Sequence, residues 1–231
     1  MLARAIFPKG RILVVGDIHG NFQTLFALLK KIKFSQKDAL YQLGDLIDRG
    51  PESKRVVDYA RQLVSVKRMI ALRGNHEQML LHAVDDPRAE RKWYDKRGGR
   101  ATLDSFGVDS VAEIPKPYLR WFNKMPAIVK IPYDDGKTYV LSHAGIDTKH
   151  PKPFRNTDAN LNHVIWNRNA PVKVKSTYIN VVGHTVKTIT EIRHSLKTGT
   201  IYLDGGCGHG GNLVALDLGA LTLEFVRNCD K

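Results

Sequence analysis

The chain has 231 residues, of which 42% are hydrophobic and 26% charged, as in an ordinary globular protein. This length allows one sizeable core, so we expect a single domain over residues 1–231. The apolar runs are far shorter than the roughly 20 residues that cross a bilayer, and residues 1–15 lack the features of a signal peptide. Two cysteines provide no disulfide framework, so we predict a cytoplasmic protein without membrane attachment.

The net charge of +13 predicts attraction to anionic partners. The sequence contains no zinc finger, no RNA-binding aromatic signature and no long basic tail, so nucleic acid is not expected as the main partner. Nothing in the chain demands association, and we expect a monomer.

The first eighty residues alternate between strand and helix patterns. Short apolar runs predict strands at 11–15, 39–43 and 69–72 (RILVV, ALYQL and MIAL). Apolar residues at helical spacing predict helices from residue 22 to 32, at 53–65 and from residue 77. This order of elements indicates a parallel sheet covered by helices.

The remainder of the chain is less regular at first and then rich in strands. Residues 87–100 carry six basic and two acidic side chains, which predicts a solvated loop or helix end. Residues 114–126 are expected to be helical between their prolines. Strands are predicted at 138–145, 180–185, 200–206, 212–218 and 222–226. Helices followed by strands suggest an α/β fold in which two sheets pack together with helices outside.

Polar clusters with glycines follow five of the predicted strands. They are GDIHG (16–20), GDLIDRG (44–50), RGNHE (73–77), HAG (143–145) and GHT (183–185). Ligand sites in open α/β sheets gather at the carboxyl ends of strands. We therefore expect one site to contain Asp17, His19, Asp45, Asp48, Asn75, His76, His143 and His184.

The chemistry of this set indicates a metal centre. Carboxylate, imidazole and amide oxygen without thiolate suit manganese, iron or zinc. Six candidate ligands are too many for one ion and suit two ions that share a bridging carboxylate, about 3.5–4 Å apart. Each motif alone is also compatible with a polar turn or a structural histidine. Their occurrence together, all at strand ends, favours a functional site.

The five motifs together resemble the metallophosphoesterase superfamily, and within it the PPP serine/threonine protein phosphatases. Compact bacterial and phage members, such as the lambda-phage phosphatase, are most similar in length. The resemblance extends from about residue 11 to 226 and implies a calcineurin-like metallophosphoesterase fold, a two-sheet β-sandwich flanked by helices. By this resemblance two divalent ions, Mn²⁺ or alternatively Fe or Zn, are held by Asp17, His19, Asp45, Asn75, His143 and His184. Asp45 would bridge them.

The resemblance also implies the reaction. A metal-bound hydroxide would attack phosphoserine or phosphothreonine of a phosphoprotein directly, without a phospho-enzyme. His76 would protonate the leaving alcohol, and Asp48 would orient its ring. The phosphoryl oxygens would be gripped by Arg49, Arg73 and Arg168.

Three other functions stay open at this point. The nearest is hydrolysis of diadenosine tetraphosphate, although symmetrically cleaving bacterial members of that group tend to lack the equivalents of Asp48 and Arg73. A nuclease or phosphodiesterase is compatible with the positive charge. A non-catalytic scaffold is disfavoured because all six ligands are present. The basic segments 87–100 and 149–175 are hypothesised to select acidic phosphopeptides.

Overall fold

The computed structural model describes residues 2–146, 154–155, 157–168 and 177–230. Within these ranges the strands are β1 Leu2–Ala3, β2 Ile12–Val15, β3 Ala39–Gln42, β4 Met69–Ala71, β5 Ile128–Pro132, β6 Thr138–Ser142, β7 Tyr178–Val182, β8 Thr200–Tyr202, β9 Asp204–Gly205, β10 Asn212–Asp217 and β11 Thr222–Arg227. The helices are α1 Phe22–Lys31, α2 Ser53–Ser65, α3 Asn75–Ala83, α4 Pro87–Arg97, α5 Gly99–Phe106, α6 Lys116–Lys124, α7 Asp158–Trp166 and α8 Ile189–Ser195. Much of the basic segment 149–175 lies outside the described residues.

The first sheet has the strand order β11-β10-β2-β3-β4, with the short β9 paired to β10. Strands β2, β3 and β4 are parallel, because α1 and α2 carry the chain back to the starting edge between them. Strand β10 is antiparallel to both β2 and β11. The predicted parallel, helix-covered sheet is thus confirmed for its first three strands.

The second sheet has the order β1-β5-β6-β7-β8. Strands β5 and β6 form an antiparallel hairpin, whereas β6, β7 and β8 run parallel. The carboxyl ends of β6 and β7 therefore lie at one edge of this sheet, as those of β2, β3 and β4 do in the first.

The two sheets pack face to face around a buried apolar layer that contains Tyr41, Leu72, Leu141 and Val214. The opposite face of the first sheet packs against helices α1 to α6 through a second cluster. Val164 and Ile165 of α7 cover the outer face of the second sheet. The predicted fold, an α/β two-sheet sandwich flanked by helices, is confirmed.

Residues 87–100 were predicted to be a solvated loop or a helix end, but most of them form the complete helix α4. The Asp86 side chain accepts hydrogen bonds from the backbone N–H groups of Arg88 and Ala89, which caps the helix start. Gly98, at φ 85°, ends the helix in the left-handed conformation. The one buried residue of α4 is Trp93, so this helix lacks the stripe of apolar residues by which an amphipathic helix is recognised in a sequence. Strands β1 and β5 and helices α5, α7 and α8 also had no counterpart in the sequence prediction.

In the described part of the chain, no helix combines the length and the apolar character needed to cross a membrane. The expectation of a single domain over 1–231 stays a prediction.

Candidate active site

The eight predicted side chains all follow strand ends and lie within the protein. Asp17 and His19 come after β2, Asp45 and Asp48 after β3, and Asn75 and His76 begin α3 after β4. His143 and His184 follow β6 and β7 of the other sheet. None of the eight is more than 8% exposed. The predicted convergence of five strand ends therefore occurs at the edge where the two sheets meet.

Several residues of this cluster have a positive φ angle, a backbone conformation that is unfavourable for residues other than glycine. The φ angles of His19, Asp45, Asp48, Arg49 and His184 lie between 51° and 74°. Each such residue costs on the order of 1–3 kcal/mol and persists only where the surrounding structure enforces it. The fold thus holds these side chains in place at a cost in stability.

Asp45 lies at the centre of the cluster. One of its carboxylate oxygens is 3.5 Å from His19 Nε2, and the other is 3.5 Å from His143 Nε2. Among the described residues, two groups of side chains offer ligand atoms within 4.8 Å of one another: His19, Asp45 and His76, and Asp45, His143 and His184. Only Asp45 belongs to both groups, as the predicted bridging role requires.

The orientation of the histidine rings fits cations between them. His143 Nδ1 donates to the Leu43 carbonyl at 2.8 Å, so its Nε2 carries a lone pair in the neutral ring. That Nε2 faces the Asn75 side-chain oxygen at 2.9 Å and Asp45 at 3.5 Å. Three acceptors that face one another provide a suitable environment for a cation.

His19 and His184 follow the same rule. His19 Nδ1 donates to the Ile47 carbonyl at 3.0 Å and directs Nε2 inward. The His184 ring is hydrogen bonded to the Trp166 backbone, and its buried Nε2 has no hydrogen-bond partner in the part of the chain that the structure describes. Burial lowers the pKa of His19, His143 and His184, the last to about 3. Neutral imidazoles are the form that binds metal.

Asp17 provides a further unpartnered ligand atom. Its Oδ2 accepts from the His184 backbone N–H at 3.0 Å, whereas its buried Oδ1 has no hydrogen-bond partner among the described residues. Burial raises the pKa of Asp17, and the neighbouring carboxylates of Asp204 and Asp45 add to the effect. A β-carbon on Gly183 would lie 2.0 Å from Asp17 Oδ1, so only glycine allows this approach. The donor set therefore fits divalent ions.

His76 differs from the other histidines. Its Nδ1 lies 2.6 Å from Asp48 Oδ2. Burial opposes protonation, but the charges of Asp45 and Asp48 together with this hydrogen bond raise the pKa of His76. His76 Nε2 is 3.8 Å from Asp45 Oδ2, close enough to belong to the first group of ligand atoms. The raised pKa suits a proton donor better than a metal ligand.

The three predicted phosphate-binding arginines are arranged differently from one another. Arg49 is directed into the site, with Nη1 2.7 Å from His19 Nε2 and Nη2 3.1 Å from His76 Nε2. Arg168 is exposed and lies just after the end of α7. Its positive charge lowers the pKa of His184, in addition to the larger effects of burial and of His143. Arg73 is buried and donates to the Gln78 side chain at 3.0 Å and to the backbone carbonyls of residues 122 and 123. The phosphate role of Arg73 and Arg168 stays a prediction.

Comparison with known proteins identifies the family. Residues 10–220 match the model of the calcineurin-like phosphoesterases. The chain belongs to this family. The metallophosphoesterase resemblance noted in the sequence is thereby confirmed, and with it the expectation of a metal-binding hydrolase.

Two groups of relatives are similar to this phosphoesterase. A symmetrical bis(5'-nucleosyl)-tetraphosphatase of Hamiltonella defensa is 35% identical over 147 residues, which is 63% of this chain and 48% of that protein. The chain thus spans about half the length of the first such relatives. Serine/threonine-protein phosphatase 1 of Salmonella typhimurium is 30% identical over 204 residues, 87% of this chain and 89% of the relative. The particular similarity to the lambda-phage type stays a prediction.

Among solved structures, one provisionally assigned as a diadenosine tetraphosphatase matches with a TM-score of 0.73. It is 23% identical and covers 100% of this chain and 99% of its own. At that identity the match supports the phosphoesterase fold alone.

Two buried carboxylates next to the predicted ligands were missed by sequence reasoning, those of Glu77 and Asp204. Glu77 accepts three backbone N–H groups, from Gly74, Asp45 and Leu46, at 2.7 to 2.9 Å. Burial raises its pKa to about 7 although these bonds oppose the change. Asp204 is 4% exposed beside Asp17, and burial raises its pKa to about 6. The glutamate of RGNHE was a visible signal for the first, whereas nothing in YLDGG distinguished the second.

Proposed function

We propose that this phosphoesterase hydrolyses phosphoserine and phosphothreonine in phosphoproteins. The reaction is direct transfer of the phosphoryl group to water, without a covalent enzyme intermediate. The one observation that carries the proposal is the buried His76–Asp48 pair, whose nitrogen and oxygen are 2.6 Å apart.

The metal centre is proposed to take two divalent ions. Asp17, His19 and Asp45 would hold one ion, and Asn75, His143 and His184 would complete the other with Asp45. When bound, such ions neutralise phosphoryl charge and lower the pKa of water. The hard and borderline character of these ligands suits Mn²⁺, with Fe and Zn as alternatives.

The proton supply favours a monoester of an alcohol. Serine and threonine leave as alkoxides, which are strong bases and depart readily only when they are protonated. His76 holds one proton on Nδ1 against Asp48 and presents Nε2 to the site. A proton given from Nε2 to the departing oxygen leaves a neutral imidazole, which Asp48 keeps in the correct tautomer and orientation.

Phosphate recognition is proposed to begin with Arg49. Its two terminal nitrogens face the site side by side, a geometry that suits two oxygens of one phosphoryl group. Arg168, just after the end of α7, would add a second positive charge.

The second candidate is symmetrical hydrolysis of dinucleoside tetraphosphates. It is favoured by the 35% identity to enzymes of that name. A nucleoside diphosphate is a good leaving group that departs without an acid, so this reaction would leave the His76–Asp48 pair without a purpose.

A comparison of three substrates separates the candidates. With Mn²⁺ added, kcat/KM is measured on a phosphoserine peptide, on diadenosine tetraphosphate and on a phosphodiester. We expect the phosphopeptide to be preferred, and His76→Asn to lower its turnover by about 10²-fold or more. A clear preference for the dinucleotide would replace the proposal by the second candidate, and a preference for the diester would exclude both.

A further inference from the structure

The Asp48 carboxylate is enclosed by hydrogen-bond donors that lie far from it in the sequence. Besides His76, Asp48 Oδ2 accepts from Trp93 Nε1 at 2.7 Å. Asp48 Oδ1 accepts from Thr102 Oγ1 at 2.6 Å. Asp48 and Thr102 are 0% exposed and Trp93 is 1% exposed, so water does not compete for these bonds. Three donors therefore fix both oxygens of one carboxylate.

Trp93 and Thr102 come from the helical pair α4–α5, and a double glycine sets their positions. The Gly98 carbonyl accepts the backbone N–H of Arg49 at 3.0 Å, which fastens the pair to the loop after β3. A β-carbon on Gly99 would lie 2.4 Å from the ring of Trp93, so the chain passes directly over the indole. The turn between α4 and α5 thus aims both donors at Asp48.

Helix α5 also fixes the backbone of Asp48 by a hydrogen bond. The Asp48 N–H donates to Thr102 Oγ1 and to Ser53 Oγ, each at 3.0 Å. Its φ of 74° is a conformation that an aspartate adopts only under constraint. Thr102 therefore holds Asp48 at two points, by its backbone and by its side chain.

We infer that Trp93 and Thr102 are positioning residues for proton delivery, which they serve by fixing Asp48 against His76. The inference rests on the proposed function for the role of His76. Without the two donors the carboxylate is free to rotate, and the imidazole loses the partner that fixes its tautomer. Within the described residues, neither Trp93 nor Thr102 contacts the predicted metal ligands or the Arg49 side chain. Their substitution should therefore impair proton transfer from His76 and leave phosphate binding unchanged.

Leaving-group dependence tests this role, because an acid matters only when the leaving group is basic. Trp93→Phe keeps an aromatic ring and removes the N–H, and Thr102→Val keeps the shape and removes the hydroxyl. On phenyl phosphate we expect each variant to lower kcat about tenfold with KM unchanged, as the loss of one bond to a charged group predicts. On 2,4-dinitrophenyl phosphate, whose phenolate leaves unaided, we expect less than about a twofold change.

Trp121→Phe is the matched control, since Trp121 is half-buried in α6 and contacts Phe122 rather than the site. It is expected to leave both rates unchanged. Equal losses on the two aryl phosphates in Trp93→Phe and Thr102→Val would mean a general structural role and overturn the inference. Urea unfolding of each variant shows whether it is folded, and the isosteric Thr102→Val covers the case in which Trp93→Phe is not.

A second measurement does not depend on turnover. In the diamagnetic, metal-free protein, the His76 Nδ1 proton in a 2.6 Å bond to a carboxylate should resonate far downfield. Asp48→Asn identifies the signal by removing it. We expect the signal to move upfield or broaden in Trp93→Phe and in Thr102→Val, and unchanged signals in both would overturn the inference. Absence of turnover in the wild type on both aryl phosphates would instead refute the proposed function, while the resonance still decides the role of Trp93 and Thr102.

Discussion

Replacement of Glu77 by glutamine tests how the site is held together. Glu77 is fully buried, and its Oε2 accepts from the backbone N–H groups of Gly74 and Asp45 at 2.8 and 2.9 Å. Its Oε1 accepts from Leu46 N–H at 2.7 Å. One side chain therefore joins the loops after β3 and β4, which carry the predicted ligands Asp45 and Asn75.

The expected magnitude follows from these three bonds. In its best orientation, the amide oxygen of the introduced glutamine accepts from the N–H groups of Gly74 and Asp45, as Oε2 does now. The NH₂ group then faces the N–H of Leu46. At pH 8, where Glu77 is ionised, one bond to a charged group is lost and two donors face each other, which costs about 2–4 kcal/mol in the free energy of unfolding. For a chain of this size the melting temperature should fall by about 5–15 °C. The bond to Leu46, the residue after Asp45, is the one lost, so the loop that carries Asp45 is held less firmly and the affinity for Mn²⁺ should fall.

Glu191→Gln is the matched control. Like Glu77, Glu191 is the third residue of its helix, and its side chain accepts the backbone N–H of the residue just before the helix, Thr188, at 2.8 Å. Unlike Glu77, it lies at the exposed start of α8. We expect a much smaller loss of stability there, because the exposed side chain is solvated and the amide oxygen can keep the bond. The assays are urea unfolding for stability and calorimetric titration with Mn²⁺ for metal affinity. Equal stability losses in the two variants, or unchanged Mn²⁺ affinity in Glu77→Gln, would refute the reasoning.

Three further changes have definite expected outcomes. Arg49→Lys keeps the charge but loses the two-pronged contact, so KM for a phosphomonoester should rise about tenfold in steady-state kinetics. Burial opposes ionisation of Asp38, but hydrogen bonds from Arg11 outweigh it and hold the pKa of Asp38 well below its usual range. This stabilisation is present above about pH 4 and declines as the pH falls further, so Asp38→Asn should cost about 2 kcal/mol at pH 7 and less in acid, by urea unfolding. Gly208→Ala would place a β-carbon 2.4 Å from the His19 ring and should weaken Mn²⁺ binding in calorimetry.

Each of these changes has its own check. For Arg49→Lys, a fall in kcat with KM unchanged would contradict a ground-state phosphate contact. A constant difference between wild type and Asp38→Asn from pH 7 to pH 2 would contradict the assigned pKa shift. Gly210→Ala is the control for Gly208→Ala, because its β-carbon would meet nothing within 4 Å although its φ of 77° makes alanine strained. Equal Mn²⁺ affinities in the two alanine variants would exclude displacement of His19.

The parts of the fold that the sequence predicted are those with strong apolar periodicity. Helix α2 has the predicted bounds 53–65, because four apolar residues on one face pack against the first sheet. Helix α4 was missed because one tryptophan supplies its packing and charged residues surround it. Its capping signals, Asp86 before a proline and Gly98 at the end, were nevertheless present in the sequence.

The candidate site could be predicted where its residues sit directly after strands. Ligand types and positions followed from the motifs, because the carboxyl ends of parallel strands share one edge. What could not be predicted are contacts made to backbone groups and across long separations. Glu77 binds N–H groups of two loops, and Arg73 faces the carbonyl end of α6. Such partners depend on how α3 and α6 pack, which no local pattern specifies.

The two candidate substrates are separated by proton supply rather than by phosphate binding. Both present phosphoryl oxygens to the same ions and arginine, so those features support either reaction equally. A buried carboxylate with three side-chain donors, on a strained backbone and supported by two helices, costs stability. Hydrolysis that expels a nucleotide gains nothing from it, whereas hydrolysis that expels serine or threonine requires a proton at that position. The hydrogen bonds around Asp48 are therefore the basis for proposing an alcohol monoester as the substrate, and the ratio of rates on basic and acidic leaving groups tests that proposal directly.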